Sequence, residues 1–200
     1  MTGHFHPITH VIDDIATIFT KIGFDVVDGQ ELESEWYNFD ALNVPRDHPS
    51  RDMQDTFLIK SETLGNRAHS EAEKRVIESG LSLGYVLRTH TSNMQIRTME
   101  RWMREAKAFP LAIVCPGKVY RNEATDARHE AQFHQIEGLL IGEGITLAHL
   151  RGTLEYFFSE LFGKSIEIRF RSSFFPFVEP GVEVNMQCFK CGATGMYAQE

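Results

Sequence analysis

The residues best suited to chemistry fall on two segments of strand-like composition, Leu111–Glu123 and Gln132–Ile141, joined by the polar stretch Ala124–Ala131. The first carries Val, Ile and Tyr and is interrupted only by Pro116–Gly117; the second carries Phe, Ile and Leu. Two such runs about a loop-prone segment predict a hairpin with a long connection. Residues two apart on a strand share a face, so Arg121 points with Glu123, and Phe133 points with Gln135 and Glu137. That face would make a poor core, but it could floor a site for a ligand with a flat ring, a negative centre and an amine. Arginine offers a planar fork that grips phosphate oxygens and stays charged at any relevant pH. The Phe133 ring could stack on a base, worth about 1–3 kcal/mol where such stacking is measured. Glu123 could accept from an exocyclic amine, and Gln135 and Glu137 from an ammonium group. Arg128 and His129, in the connection, could reach a polyphosphate tail. A lone R-x-E on a strand reads as solvated charge, because exposure is the default for charged side chains; the whole cluster reads as a site.

The run Pro116-Gly117-Lys118-Val119-Tyr120-Arg121-Asn122-Glu123, followed after the connection by Phe133-His134-Gln135-Ile136-Glu137-Gly138, resembles motif 2 of the class II aminoacyl-tRNA synthetases. More narrowly, it resembles the alpha-subunit family of bacterial phenylalanyl-tRNA synthetases. Leu87-Arg88-Thr89-His90-Thr91-Ser92 and Phe175-Pro176-Phe177-Val178-Glu179-Pro180 carry the same resemblance, which runs from about His6 to about Glu183. It implies an α+β fold, a class II-type antiparallel sheet built around the hairpin with helices on one side, forming part of a catalytic domain over residues 1–200. It implies activation of phenylalanine by ATP to phenylalanyl adenylate, then transfer to tRNA(Phe), with magnesium and a beta subunit in a heterotetramer of two alpha and two beta chains. By the same resemblance Arg121 is the catalytic contact to the α-phosphate, Glu123 and Phe133 hold adenine, and His129 serves the outer phosphates. His90, Ser92, Gln135 and Glu137 hold the amino-acid backbone, with Gln95 near them. Phe175, Phe177 and Val178 receive its side chain, and Glu179 shares magnesium with the beta subunit.

Composition sets the bounds. Two hundred residues suit one domain with a sizeable core. A net charge of −8 argues against a broad basic surface for nucleic acid, so any tRNA contact is expected to be local or supplied by a partner. No apolar run approaches the roughly 20 residues of a membrane span, and Met1–Pro7 is short and polar, unlike a secretory signal. Three cysteines give no disulfide framework, which points to a reducing cytoplasm.

Around the site, apolar residues at spacings of three and four predict a helix over Pro7–Gly23, with a short strand at Phe24–Val27. The resemblance makes this pair motif 1, which builds a subunit interface. Glu31–Asp40 is acidic and aromatic, and Asn38–Thr56, with two prolines, reads as an ordered border of the site rather than a solvated loop, leading to a strand at Thr56–Ile59. Lys60–Gly84 reads as an exposed charged insertion with a short helix within Ser70–Ser79. A strand is expected over Tyr85–His90, then a helix over Asn93–Ala108 with Met94, Ile96, Met99 and Met103 as its apolar positions and Thr91 or Ser92 as its cap. After the hairpin, Thr146–Phe162 is a core helix stopped by Gly163, and Ser165–Arg171 alternates as a half-buried strand.

Cys188 and Cys191 form a C-x-x-C pair, half the ligand set of a structural zinc site, and zinc is not expected from two ligands alone. The family's Gly-rich strand and motif 3, with its ATP-holding arginine, have no counterpart in these residues, nor has its N-terminal coiled-coil arm. Two alternatives follow: a non-catalytic relative that binds a nucleotide, an amino acid or a partner subunit, and an adenylating ligase for another acid.

Overall fold

Residues 3–51, 55–59, 68–79, 83–122, 126, 130–163, 165–188 and 191 are described by a computed structural model. In chain order the elements are α1 (Pro7–Lys21), β1 (Asp25–Val26), β2 (Leu32–Ser34), α2 (Glu35–Asn38), β3 (Leu58–Ile59), α3 (Glu71–Glu78), β4 (Tyr85–Leu87), α4 (Asn93–Arg104), β5 (Leu111–Tyr120), β6 (Gln132–Ile141), α5 (Leu147–Phe162), β7 (Ile168–Ser172) and β8 (Val182–Met186). They divide into two units, Asp25–Leu140 and Met1–Phe24 with Ile141–Glu200.

In the unit Asp25–Leu140, β5 is the middle strand of a sheet ordered β1-β5-β6. Its Leu111, Ile113, Val114, Cys115 and Val119 are buried, as expected of a central strand. β1 pairs with β5 in parallel, Asp25 against Ile113 and Val26 against Val114. The sheet is therefore mixed at this edge, because β1 and β5 are joined by a long excursion rather than a hairpin. One residue past β5, the N–H of Arg121 donates to the carbonyl of Ala131, one residue before β6, at 2.9 Å, so the two strands close as a hairpin. β5 runs unbroken through Pro116–Gly117. A side chain at Gly117 would start 2.1 Å from the Arg88 guanidinium, so the glycine leaves the slot in which that buried arginine lies.

A second sheet in this unit has the order β2-β4-β3, both pairings antiparallel. Phe39, Val44 and Val86 form a buried cluster beside it. α3 sits inside the segment expected to be an exposed insertion, and Ser70 caps it by accepting from the Glu73 N–H at 3.1 Å. Glu73 itself is fully buried, which corrects that expectation for this helix. α4 also departs from its apolar pattern. Its buried positions are Asn93, Met94 and Thr98, whereas Met103 is 67 % exposed, so the helix buries a largely polar face.

In the other unit, α1 starts at Pro7, behind His6, whose ring Nδ1 accepts from the Ile8 N–H at 3.2 Å. It buries Ile15, Ile18 and Phe19. Phe19 meets Phe157 of α5 at 5.0 Å between ring centres. No residue of α5 is buried, which corrects its reading as a core helix; its apolar side is only half covered. β7 and β8 pair antiparallel, Ile168 against Met186 through Ser172 against Val182. Among the described residues, no helix is long and apolar enough to cross a membrane.

Candidate active site

The site is built from three pieces of the unit Asp25–Leu140: β6, the residues just past β5, and the turn into α4. On β6, Phe133, Gln135 and Glu137 alternate onto one face and stand half-buried. The Gln135 Nε2 donates to Glu137 Oε1 at 2.9 Å, as two neighbours on one pleat can. From the turn before α4, the Ser92 hydroxyl donates to the same oxygen at 2.7 Å. From the first turn of α4, Gln95 Nε2 donates to Glu137 Oε2 at 2.9 Å. A carboxylate has about four lone-pair positions, and these neutral donors leave room for a further one.

Two groups beside Glu137 lack partners among the described residues. Gln135 Oε1 is buried with no donor, while the nitrogen of the same amide donates to Glu137. His90 Nδ1 is likewise buried and unpartnered. His90 Nε2 lies 2.8 Å from the Asn38 carbonyl, which cannot donate, so the ring carries its proton on Nε2 and presents Nδ1 as an acceptor. Glu137, Gln135 and His90 thus each carry acceptor capacity, the chemistry that receives an ammonium. Buried acceptors without donors cost free energy unless something arrives to satisfy them.

Beyond the end of β5, the Arg121 guanidinium lies over the Phe133 ring, 5.1 Å from its centre, and its Nε reaches toward the Thr89 carbonyl at 3.4 Å. A cation on a ring face holds its place at a cost of little mobility, worth about 0.5–1 kcal/mol where exposed. The positive group and the flat ring are therefore adjacent across the hairpin, Arg121 just past β5 and Phe133 on β6, the strand that carries Glu137.

Burial lowers the His90 pKa from its ordinary 6.5, by desolvation first; the Glu137 charge and the Asn38 carbonyl oppose the shift, and Arg121 and Arg88 add to it. The folded protein thus holds this ring neutral where the unfolded chain would take up a proton. As pH falls through 6.5, the unfolded state gains the proton first, so stability present above 6.5 is lost toward acid. The difference in urea midpoint between the parent and His90→Gln is expected to shrink between about pH 7.5 and about pH 5.5. A difference constant across that range would mean that the ring titrates normally in the fold.

Sequence reasoning missed what holds these groups. Asn38 is fully buried; its side chain accepts from the Thr89 N–H at 3.2 Å and donates to the Thr89 hydroxyl at 3.1 Å, so it fixes the strand end that carries His90. Arg88 donates from Nε to the Lys118 carbonyl at 2.7 Å and from a terminal nitrogen to the Gly29 carbonyl at 3.0 Å, tying β4 to β5 just ahead of Arg121. The sequence offers Thr91 or Ser92 as the cap of α4. Ser92 stands at the cap position with helical φ and ψ and makes no capping bond, because its hydroxyl is committed to Glu137.

Glu123, Arg128 and His129 lie outside the described residues. Phe175, Phe177 and Val178 belong to the other unit, where they form one turn: the Val178 N–H donates to the Phe175 carbonyl at 3.2 Å. Glu179 follows as an exposed carboxylate. Among the described residues no group of three His, Cys, Asp or Glu side chains could hold a metal. Cys188 and Cys191 are half-buried thiols, and Cys115 is buried in β5, where desolvation pushes its pKa up to about 11.

The chain matches the family described as "tRNA synthetases class II core domain (F)" over residues 1–199. It is 48 % identical over 193 residues to a protein of an Exiguobacterium species named phenylalanine--tRNA ligase alpha subunit, covering 96 % of this chain and 49 % of that one. The protein of the same name from Staphylococcus carnosus is also 48 % identical, with 96 % of this chain and 48 % of the relative covered. The chain thus spans about half the length of these curated relatives. Among solved structures, a pyrrolysyl-tRNA synthetase from Desulfitobacterium hafniense superposes with a TM-score of 0.61 at 15 % identity, over 90 % of this chain and 54 % of that one, a likeness of fold.

Proposed function

Because the chain belongs to the class II core-domain family of tRNA synthetases, we propose that it is the alpha chain, or part of it, of a phenylalanine--tRNA ligase. The observation that carries this reading is the Glu137 carboxylate, which gathers Ser92, Gln95 and Gln135 on the face where Arg121 covers Phe133. The amino acid's ammonium enters among Glu137, the orphaned Gln135 Oε1 and His90 Nδ1. Its carboxylate oxygen attacks the α-phosphorus of ATP. The new bond is a mixed anhydride, the bond to the β-phosphate oxygen breaks, and pyrophosphate leaves with the electron pair. No proton need be moved, since the nucleophile is already ionised; catalysis is alignment and neutralisation of charge. Arg121 neutralises the α-phosphate, and Phe133 offers its ring to adenine. In the second step the terminal hydroxyl of tRNA(Phe) attacks the carbonyl carbon, the bond from that carbon to the phosphate oxygen breaks, and AMP leaves with the electron pair as its phosphate or water takes the hydroxyl proton.

The remaining assignments follow the family. Glu123 serves adenine, His129 the outer phosphates, and Phe175, Phe177 and Val178 the benzyl side chain, for which aromatic edges and faces are suited. Magnesium, when bound, neutralises phosphate oxygens. Glu179 fits a shared site, being exposed and single, because magnesium takes one or two protein carboxylates and completes its shell with water and phosphate. The beta subunit is the partner, in an assembly of two chains of each kind, and the exposed Ile8 and Val11 of α1 are offered as part of a subunit interface. The test is ATP–pyrophosphate exchange in the full-length chain assembled with its beta subunit. Exchange that requires phenylalanine supports the reading. Exchange driven by another amino acid, or binding of phenylalanine without exchange, defeats it in favour of another ligase or a binding module.

A further inference from the structure

Glu33 is the most completely enclosed carboxylate near the site that the chemistry above does not use. It is 0 % exposed. Its Oε2 accepts from Asn93 Nδ2 at 2.7 Å and from Arg97 Nε at 2.9 Å. Its Oε1 accepts from the second Arg97 nitrogen, from the Ser34 N–H at 2.9 Å and from Gln30 Nε2 at 3.2 Å. The Arg97 guanidinium lies over the Tyr37 ring, 3.8 Å from its centre, and approaches the buried Glu73 of α3 at 3.7 Å.

What matters is where those donors sit. Asn93 and Arg97 are four residues apart, hence one above the other on one side of α4. Ser92 and Gln95, offset from them along the same turn, donate to Glu137. One turn of helix is therefore held between two carboxylates, Glu33 behind it and Glu137 in the site. The bidentate grip of Arg97 fixes rotation as well as distance, which a single hydrogen bond would not do.

We propose that Glu33 is a positioning residue for the amino-acid end of the site: through Asn93 and Arg97 it sets the first turn of α4 so that Ser92 and Gln95 meet Glu137. The ATP end, Arg121 and Phe133, hangs on β5 and β6 and on the Arg88 tie, none of which touches Glu33 among the contacts above. The inference rests on the functional reading for which end of the site takes the amino acid and which takes ATP.

The test uses Glu33→Gln and, because that change leaves Arg97 without its main counter-charge, the milder Asn93→Ala, which removes one hydrogen bond and keeps the ion pair. In the exchange assay with the full-length assembly, the KM for phenylalanine is expected to rise about tenfold in Asn93→Ala and more in Glu33→Gln, with the KM for ATP within about twofold of the parent. Both KM values rising together, or neither moving, overturns the proposal. Hydrogen exchange supplies a reading independent of activity. The amides of Met94 and Gln95, bonded to the carbonyls of Thr91 and Ser92, should lose protection while those of β5 keep theirs. Unchanged protection, or loss across the whole unit, overturns the proposal as well. An unsubstituted enzyme inactive with phenylalanine would refute the functional reading, and the exchange pattern at Met94 and Gln95 would still decide the role of Glu33.

Discussion

Replacing Arg121 by alanine should lower the rate of phenylalanine-dependent pyrophosphate exchange by about 10²–10³, the usual cost of removing one preorganised donor from a developing anion. The loss should fall on kcat more than on the KM for ATP. Arg121 is asked to neutralise charge that grows at the α-phosphate as the fifth oxygen closes in, and a contact made mainly in the transition state appears in kcat. The ground-state loss in ATP binding should be partly offset, because the guanidinium now covers the Phe133 ring at 5.1 Å and its removal opens that face to a base. Folding should be nearly untouched. Among the described residues the half-buried side chain makes the ring contact and a long 3.4 Å approach to the Thr89 carbonyl, so the cost to stability should stay within about 1 kcal/mol. Arg121→Lys should keep the charge and lose the fork, and lie between the two. A variant Arg121→Ala that exchanges within about twofold of the parent would remove this residue from the phosphate chemistry.

That residue could be picked out from the sequence because its neighbours obey a short rule. On β6 the period of two places Phe133, Gln135 and Glu137 together, and the N–H of Arg121 meeting Ala131 brings the residue after β5 to the same end of the hairpin. The same rule says nothing about charge buried for structural reasons. Glu33 finds Asn93 and Arg97 about sixty residues further on, and Arg88 finds the Gly29 carbonyl at a similar separation. No local pattern marks such partners, so Glu31–Asp40 reads as merely acidic, and the helix at Ser70–Ser79 reads as solvated although its Glu73 is buried. α4 misleads for the same reason. Its methionines have helical spacing, but the face that packs is the one carrying Asn93, Arg97 and Thr98, because a buried carboxylate is there to receive two of them. The Pro116–Gly117 pair looked like a break in the strand. Its glycine is required by the Arg88 guanidinium lying 2.1 Å from where a Cβ would stand, a constraint that becomes visible only when β4 is beside β5.

The polar residues of the site and those beneath it also differ in a way that bears on binding. Glu33 has all its donors within the chain, whereas Gln135 Oε1 and His90 Nδ1 have none among the described residues. Satisfied buried groups hold shape; unsatisfied ones store a cost that a matching ligand relieves. A site with surplus acceptors around a carboxylate selects a cation with several N–H bonds to give. It should reject an isosteric ligand that lacks them more strongly than apolar contacts alone could achieve.

Glu137→Gln is the sharpest test of that selection. The substitution keeps the size of the side chain and puts an N–H where an oxygen now accepts, so at least one of Ser92, Gln95 and Gln135 meets a donor instead of an acceptor. It also removes the negative charge proposed to face the ammonium. A hydrogen bond to a charged group is worth about 1.5–3 kcal/mol, so phenylalanine should bind roughly 100-fold more weakly, by calorimetry or as KM in exchange. A loosened site would weaken binding too, and the ligand itself separates the two causes. 3-Phenylpropionate has the ring and the carboxylate of phenylalanine but no amine. In the parent, phenylalanine should bind far more tightly than 3-phenylpropionate; in Glu137→Gln that advantage should collapse to within about threefold, because the partner of the amine has gone. Were both ligands to lose affinity equally, the cycle would close with no coupling, and Glu137 would be a scaffold for Ser92 and Gln95 rather than the group that reads the amine.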